Sequence, residues 1–154
     1  MGTIPPELAA FLESGISVHI GTRSARLEPN GARGVAVKVG KDGRSITVYV
    51  SKKAADSILP DLEANAMVAL GFGRPSDDRA CQLKGTMVSV RPARADERSL
   101  VERQWDGFLN ELGIIGIQRE ATFGWSTWPA IAIRCRVDAL FNQTPGPGTG
   151  APMP

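Results

Sequence analysis

Cysteine and histidine are scarce in this chain, with two of the first and one of the second among 154 residues. No Ser-His-Asp, Cys-His or zinc-spaced cluster is present, which weighs against a hydrolase or a structural metal site. Cys81 and Cys135 lie far apart, each within a strand-like run, and read as packed, reduced thiols of a cytoplasmic protein rather than as a disulfide. Charge of one sign is barely in excess at +2, and aromatic residues make up 6%. A dense basic face with interleaved aromatics is therefore missing, and no nucleic-acid partner is expected. No apolar run approaches a membrane span, and "MGTIPPELAAFLESG" has neither a basic leader nor a long apolar core, so neither membrane nor signal peptide is expected. No period of roughly 20 to 50 residues recurs, which argues against a solenoid or propeller. Gly71-Phe72-Gly73 lacks the third glycine and the strand-to-helix setting of a dinucleotide fingerprint.

What is present, 42% hydrophobic and 22% charged residues, suits one soluble domain with a real core. The proline pair opens a short helix over Pro5 to Glu13, stopped at Ser14-Gly15. "ISVHIGT" then alternates, with Val18 and Ile20 on one face and His19 on the other. "RLEPNGARG" carries a turn signal in Pro29 and Asn30-Gly31. "GVAVKV", the "GKDGR" connection and "SITVYV" form a hairpin, with Val35, Val37 and Val39 expected on one face. Ser51 caps a helix over "KKAADSILPDLEAN" that Pro60 kinks or divides. "MVALGF" is a buried strand, and "ACQLKGTMVSV" a long one with Gly85 at a bulge. A helix runs from Ala95 to Leu112 on Val101, Trp105, Phe108 and Leu112, and "AIAIRCRVDALFNQT" is the last strand. The tail "PGPGTGAPMP", residues 145–154, forms no regular element, and is either disordered or folded over a neighbouring subunit. Six strands joined by mostly short turns, with two or three helices, predict a mainly β, antiparallel barrel with flanking helices.

"RGVAVK" places a cation at each end of a short apolar strand. Arg33 and Lys38 are five positions apart, so strict alternation turns them to opposite faces. Lys38 projects outward, and Arg33 sits at the strand entrance beside the Asn-Gly turn. Ser51-Lys52-Lys53 stands where a strand gives way to a helix, whose first turn is partially positive. Exposed lysines there cost about 0.3–1 kcal/mol each, a conflict that a bound phosphate relieves. Trp125 and Trp128 either cover an aromatic ring or plug the barrel. Gln82 and Lys84 share a strand face, either solvated or donating to a ligand's oxygens. His19 is either structural or a haem ligand. Asp77-Asp78 and Asp96-Glu97 are loop and helix-start acids, not a catalytic carboxylate pair.

The run "RGVAVK…GRSITVYVSKK…LEANAMVALGF…DDRACQLKG" resembles the FMN-binding split-barrel proteins related to pyridoxamine 5'-phosphate oxidase. Arg33, Lys38, Ser51, Lys52, Leu62, Asn65 and Gly85 fall in that family's order, over about Val18 to Val90 and again in the last strand. The resemblance implies a six-stranded Greek-key split barrel over residues 1–144. It further implies FMN at a homodimer interface, its phosphate held by basic residues. The cofactor-binding residues it implies are Arg33, Lys38, Ser51, Lys52, Lys53 and Gln82, with Trp125 or Trp128 shielding the ring. Three departures stand out. The Ser51-to-Asn65 spacing is longer than in the oxidase. Arg79-Ala80 replaces the Arg-Gln pair. "FNQTPGPGTG" replaces the oxidase's substrate-binding ending and resembles an uncharacterised branch. Oxidation of pyridoxamine phosphate itself is therefore not expected. The implied function is a flavin-dependent oxidoreductase acting on a small substrate, with a reduced nicotinamide as donor. A flavin or haem carrier, or a deazaflavin reductase, remains open on the same barrel.

Overall fold

Strand β1 (Ser17–Arg23) buries Val18 and Ile20 and exposes His19, the alternation of a sheet with one wet face. The other strands are β2 (Pro29–Val39), β3 (Ser45–Ser51), β4 (Met67–Gly73), β5 (Ala80–Pro92) and β6 (Ala130–Asn142); β4 alternates in the same way, whereas β2 and β3 are buried on both faces at Gly34–Val37 and Val48–Ser51. These strands close into an antiparallel barrel in the order β1-β2-β3-β6-β5-β4 in the computed structural model, which describes residues 2–154. Inward side chains such as Ile20, Val37, Val48, Leu70, Leu83 and Ile133 fill its interior and are at most 1% exposed. Burying each is worth about 1.5–3 kcal/mol. Helix α1 (Pro6–Leu12) adds Leu8, Phe11 and Leu12 to this core. Cys81 and Cys135 are buried and free, and burial pushes their thiols up to about 11 and about 12. Among the described residues no helix is long and apolar enough to cross a membrane.

The expected helix after Ser51 is two: α2 (Lys52–Ala55) and α3 (Leu59–Asn65), with Pro60 in the first turn of α3. Leu62 is core, while the Asn65 side-chain amide donates to Arg23 O at 2.7 Å and its oxygen accepts from Met67 N at 3.0 Å. The Leu-x-x-Asn pattern thus ties α3 to the ends of β1 and β4. Gly85 lies at a register shift between β5 and β6, where an added Cβ would stand 2.5 Å from Arg136 O. Helix α4 (Arg98–Ile114) lies on the outer wall at β2, preceded by a 3-10 turn, Ala95–Glu97.

Two expectations about β2 are corrected. The hairpin turn lies at Ser24 to Glu28, closed by Ser24 N donating to Glu28 O at 2.9 Å, with Leu27 left-handed at φ 66°. Asn30-Gly31 is therefore inside the strand, paired with β1, and the Asn30 amide donates to Ser57 O at 2.6 Å. Second, a bulge between Gly34 and Ala36 inserts Val35 as an extra residue. Val35 then packs outside the barrel with Ala36, Tyr49, Val101, Ala130 and Ala132, while Val37 points inward. The bulge cancels the odd spacing, so Arg33 and Lys38 share the outer face.

Beyond Gly34, β2 has lost its β1 partner and its free edge needs other acceptors and donors. Gln104 of α4, 4% exposed, supplies both: Val37 N donates to its Oε1 at 2.9 Å and its Nε2 donates to Val37 O at 2.8 Å. Glu13 accepts from Val39 N at 2.6 Å. The side chains of two helices thus replace a strand at the gap in the wall. The C-terminal tail turns back on β6: Asn142 N donates to Ala151 O at 2.9 Å, Met153 N donates to Leu140 O at 2.9 Å, and Met153 packs on the core.

Candidate functional site

Arg33 projects from the outer wall of β2 into the space between α4 and the segment leading to β6. Its guanidinium carbon lies 4.7 Å from the centre of the Trp125 ring and 5.4 Å from that of Phe108. Its polar contact is a long hydrogen bond to Ser17 Oγ at 3.4 Å, and among the described residues it has no ion pair. Burial lowers its pKa, with no carboxylate to offset the effect. A desolvated cation without a counter-ion is an unsatisfied electrostatic demand. It faces a groove of about 380 Å³ lined also by Val35, Ser51, Lys53, Trp105 and Trp125. That volume lies in the range of small-molecule sites, and the lining is mostly apolar with a few polar groups.

The bulge and the β3–α2 junction bring these residues together. Ser51 ends β3, is buried at 5% exposure, and its Oγ accepts from Ala54 N at 3.2 Å. Lys52 N donates to Pro129 O at 2.8 Å. Two N–H groups of the first turn of α2 are therefore already paired, and the cationic character of the groove rests on Arg33 and Lys53. Trp125, 43% exposed, and Trp105 meet edge-on at 5.9 Å and form its aromatic wall.

The structure brings Arg33, Ser51, Lys53 and Trp125 into one groove. The other four candidates stand apart. Lys52 is exposed at the start of α2, and Trp128 packs in the outer cluster with the Arg98 guanidinium 5.7 Å above its ring. Gln82 lies on the register row Arg33–His19–Gly71–Gln82, three strands from Arg33 and roughly 14 Å around the wall. Lys38 is roughly 13 Å along β2 from Arg33 and lines a second groove. The apolar cluster of Val35, Ala36, Tyr49 and Val101 lies between the two grooves.

Sequence reasoning missed the order of the second groove. Glu97, 12% exposed, receives both guanidinium arms of Arg91 at 2.7 and 2.8 Å, the Tyr49 hydroxyl at 2.8 Å and Arg94 N at 2.7 Å. The Arg91 bond is the largest cause that holds Glu97 down to about 2. Burial, then Glu97, pushes the Tyr49 phenol up to about 12. Arg134 on β6 could have been found from alternation, since Ile133, Cys135 and Val137 take the inward positions. His19, the register partner of Arg33, is held below its ordinary pKa by desolvation and then by the Arg33 charge.

No family model matches the chain. No curated protein matches it in sequence. Among solved structures it is similar to an F420 reductase, with a TM-score of 0.59 at 18% identity over 89% of this chain and 98% of that one. It is also similar to a provisionally named pyridoxamine 5'-phosphate oxidase from Lactobacillus delbrueckii, with a TM-score of 0.56 at 12% identity over 90% and 93%. A third is an FMN-binding protein from Syntrophomonas wolfei subsp. wolfei, with a TM-score of 0.55 at 11% identity over 88% and 83%. The chain has the split β-barrel fold of these proteins.

Proposed function

We propose that the chain binds FMN as a homodimer and acts as a flavin-dependent oxidoreductase on a small substrate. The observation that carries this reading is Arg33, a half-buried cation without an anionic partner, facing a groove with aromatic walls. Its five donors suit a phosphate ester, and the Lys53 ammonium and the Ser51 hydroxyl stand beside it. Lys52, at the rim, adds charge, and Trp125 offers its face to a planar ring. Gln82 and Trp128 are reached by a cofactor that extends along the outer wall beneath a second subunit, whereas Lys38 lies in the separate second groove. Support for such a cover is the exposed apolar set beside Trp125: Ile114, Ile115, Ile117 and Phe123 are 69, 49, 40 and 77% exposed. Bound FMN supplies hydride acceptance and release at its N5. The chain's own residues bind, orient and shield the group, and a reduced nicotinamide is the proposed donor. The buried free thiols accord with a reducing, cytoplasmic setting.

The likeness to the F420 reductase favours a deazaflavin as the second reading. In a haem carrier, the remaining alternative, His19 would serve as the ligand. The absorbance spectrum and mass of whatever co-purifies separate the three, because only haem gives a Soret band. Steady-state oxidation of a reduced nicotinamide separates enzyme from carrier. For the phosphate contact, Arg33→Ala should weaken FMN binding by about 1.5–3 kcal/mol, roughly ten- to a hundredfold. An unchanged dissociation constant in a fluorescence titration refutes the assignment.

A further inference from the structure

The second groove, about 440 Å³ in volume, lies on the outer wall of β2, β3, β6 and β5. Across it the strand register sets Lys38 beside Thr47, Thr47 beside Arg134, and Arg134 beside Ser89. All four side chains line the groove, so cation and hydroxyl alternate along one row, at the spacing of neighbouring strands, roughly 4.8 Å. The long arms of Lys38 and Arg134 can both reach an anion seated above Thr47. Lys41 stands at one end, on the β2–β3 hairpin, and Arg91 and Arg94 at the other.

Five cationic side chains therefore face one carboxylate, Glu97. Glu97 is itself engaged by Arg91, Tyr49 and the Arg94 backbone, and it fixes the rim of the groove. Lys38, Lys41 and Arg134 form no ion pair among the described residues. By contrast Arg136, on the same face of β6 two residues further on, is paired with Asp138 at 2.9 Å. The open cations of the concavity are thus Lys38, Lys41 and Arg134, while Arg91 is paired with Glu97 and Arg94 with Glu97 and Asp96. We propose that this groove is a second anion site, distinct from that of Arg33, and that it takes a small molecule carrying a diphosphate. A diphosphate brings more than one negative charge to a site with three open cations, and its oxygens match a row in which hydroxyl donors separate the charges.

The test is calorimetric titration of the full chain with pyrophosphate, alone and in the presence of saturating FMN. Binding should weaken at higher salt. Arg134→Gln and Lys38→Gln should each weaken it about tenfold, whereas Arg136→Gln, whose arginine is already paired, should leave it unchanged. Arg134→Gln should leave FMN affinity unaltered, and Arg33→Ala should leave pyrophosphate affinity unaltered. Competition between FMN and pyrophosphate, or wild-type affinity in Arg134→Gln, overturns the proposal. Because the pyrophosphate measurement needs no flavin, it stands or falls separately from the cofactor reading.

Discussion

Replacing Gln104 with leucine should cost this protein about 1–3 kcal/mol of stability. The amide makes two hydrogen bonds to one residue, at 2.9 Å from Val37 N and 2.8 Å to Val37 O, in a setting where Gln104 itself is 4% exposed. Leucine removes both partners but fills the space, so Val37 keeps a buried N–H and a buried C=O with nothing to bond. Each orphaned group costs about 1–3 kcal/mol. The added apolar burial returns about 1.5–3 kcal/mol at most. The backbone penalty exceeds that return because this edge of β2, past the end of its pairing with β1, has no strand to take over the bonds. For a chain of this size a loss of about 2 kcal/mol lowers Tm by roughly 4–8 °C. Urea equilibrium unfolding measures the free energy, and hydrogen exchange at the Val37 amide should lose protection in the variant. Arg103→Ala, at an exposed position one residue away, is the control and should stay within about 0.5 kcal/mol. If Gln104→Leu also stays within about 0.5 kcal/mol, the claim that side chains close the gap in the wall is refuted.

The other two predictions concern the second groove and the bulge in β5. The Glu97 carboxyl is held at about 2 against an ordinary value of 4.5, so its stabilisation is complete above pH 4.5 and disappears as pH falls towards 2. Linkage caps the effect at about 3 kcal/mol, and screening at the partly exposed Arg91 reduces it to about 1–2 kcal/mol. In acid titrations of stability, Glu97→Gln should flatten the loss between pH 4.5 and 2 relative to the parent, and parallel curves contradict the network. Gly85→Ala drives a Cβ to 2.5 Å from a backbone oxygen and should destabilise by about 1–3 kcal/mol, whereas Gly71→Ala meets nothing within 4 Å and should be tolerated. Equal thermal midpoints for the two variants contradict the close approach at Gly85.

Alternation alone located the strands, because an apolar residue at every second position is a local property that any half-buried strand must display. Val18 and Ile20, Val37 and Val39, and Ile46 and Val48 were legible for that reason, as was the division of the chain after Ser51 at the Pro60 region. Cations were legible as residue types and as candidates for an anion, and the order of motifs from Arg33 to Gly85 led to the split barrel. The Asn30-Gly31 turn was misread because local turn propensity yields when both neighbours find partners in a ladder. Here β1 and the Ser57 carbonyl took them.

Facing and proximity were decided by tertiary structure. A single inserted residue, Val35, moved Arg33 and Lys38 onto one face, and no pattern within "RGVAVK" encodes it. The bulge belongs to the pairing with β3 and to the helix that packs against it. Gln104 drew no reading from the sequence, where the helix face was defined by Val101, Trp105, Phe108 and Leu112. Its meaning depends on an unpaired edge contributed by residues far away in sequence. The segregation of eight candidate side chains into one groove, a second groove and scattered wall positions has the same origin. Sequence fixes what each side chain can donate or accept, but which charges share a concavity depends on strand register and on where α4 lies, and those are set by the packing of the whole barrel.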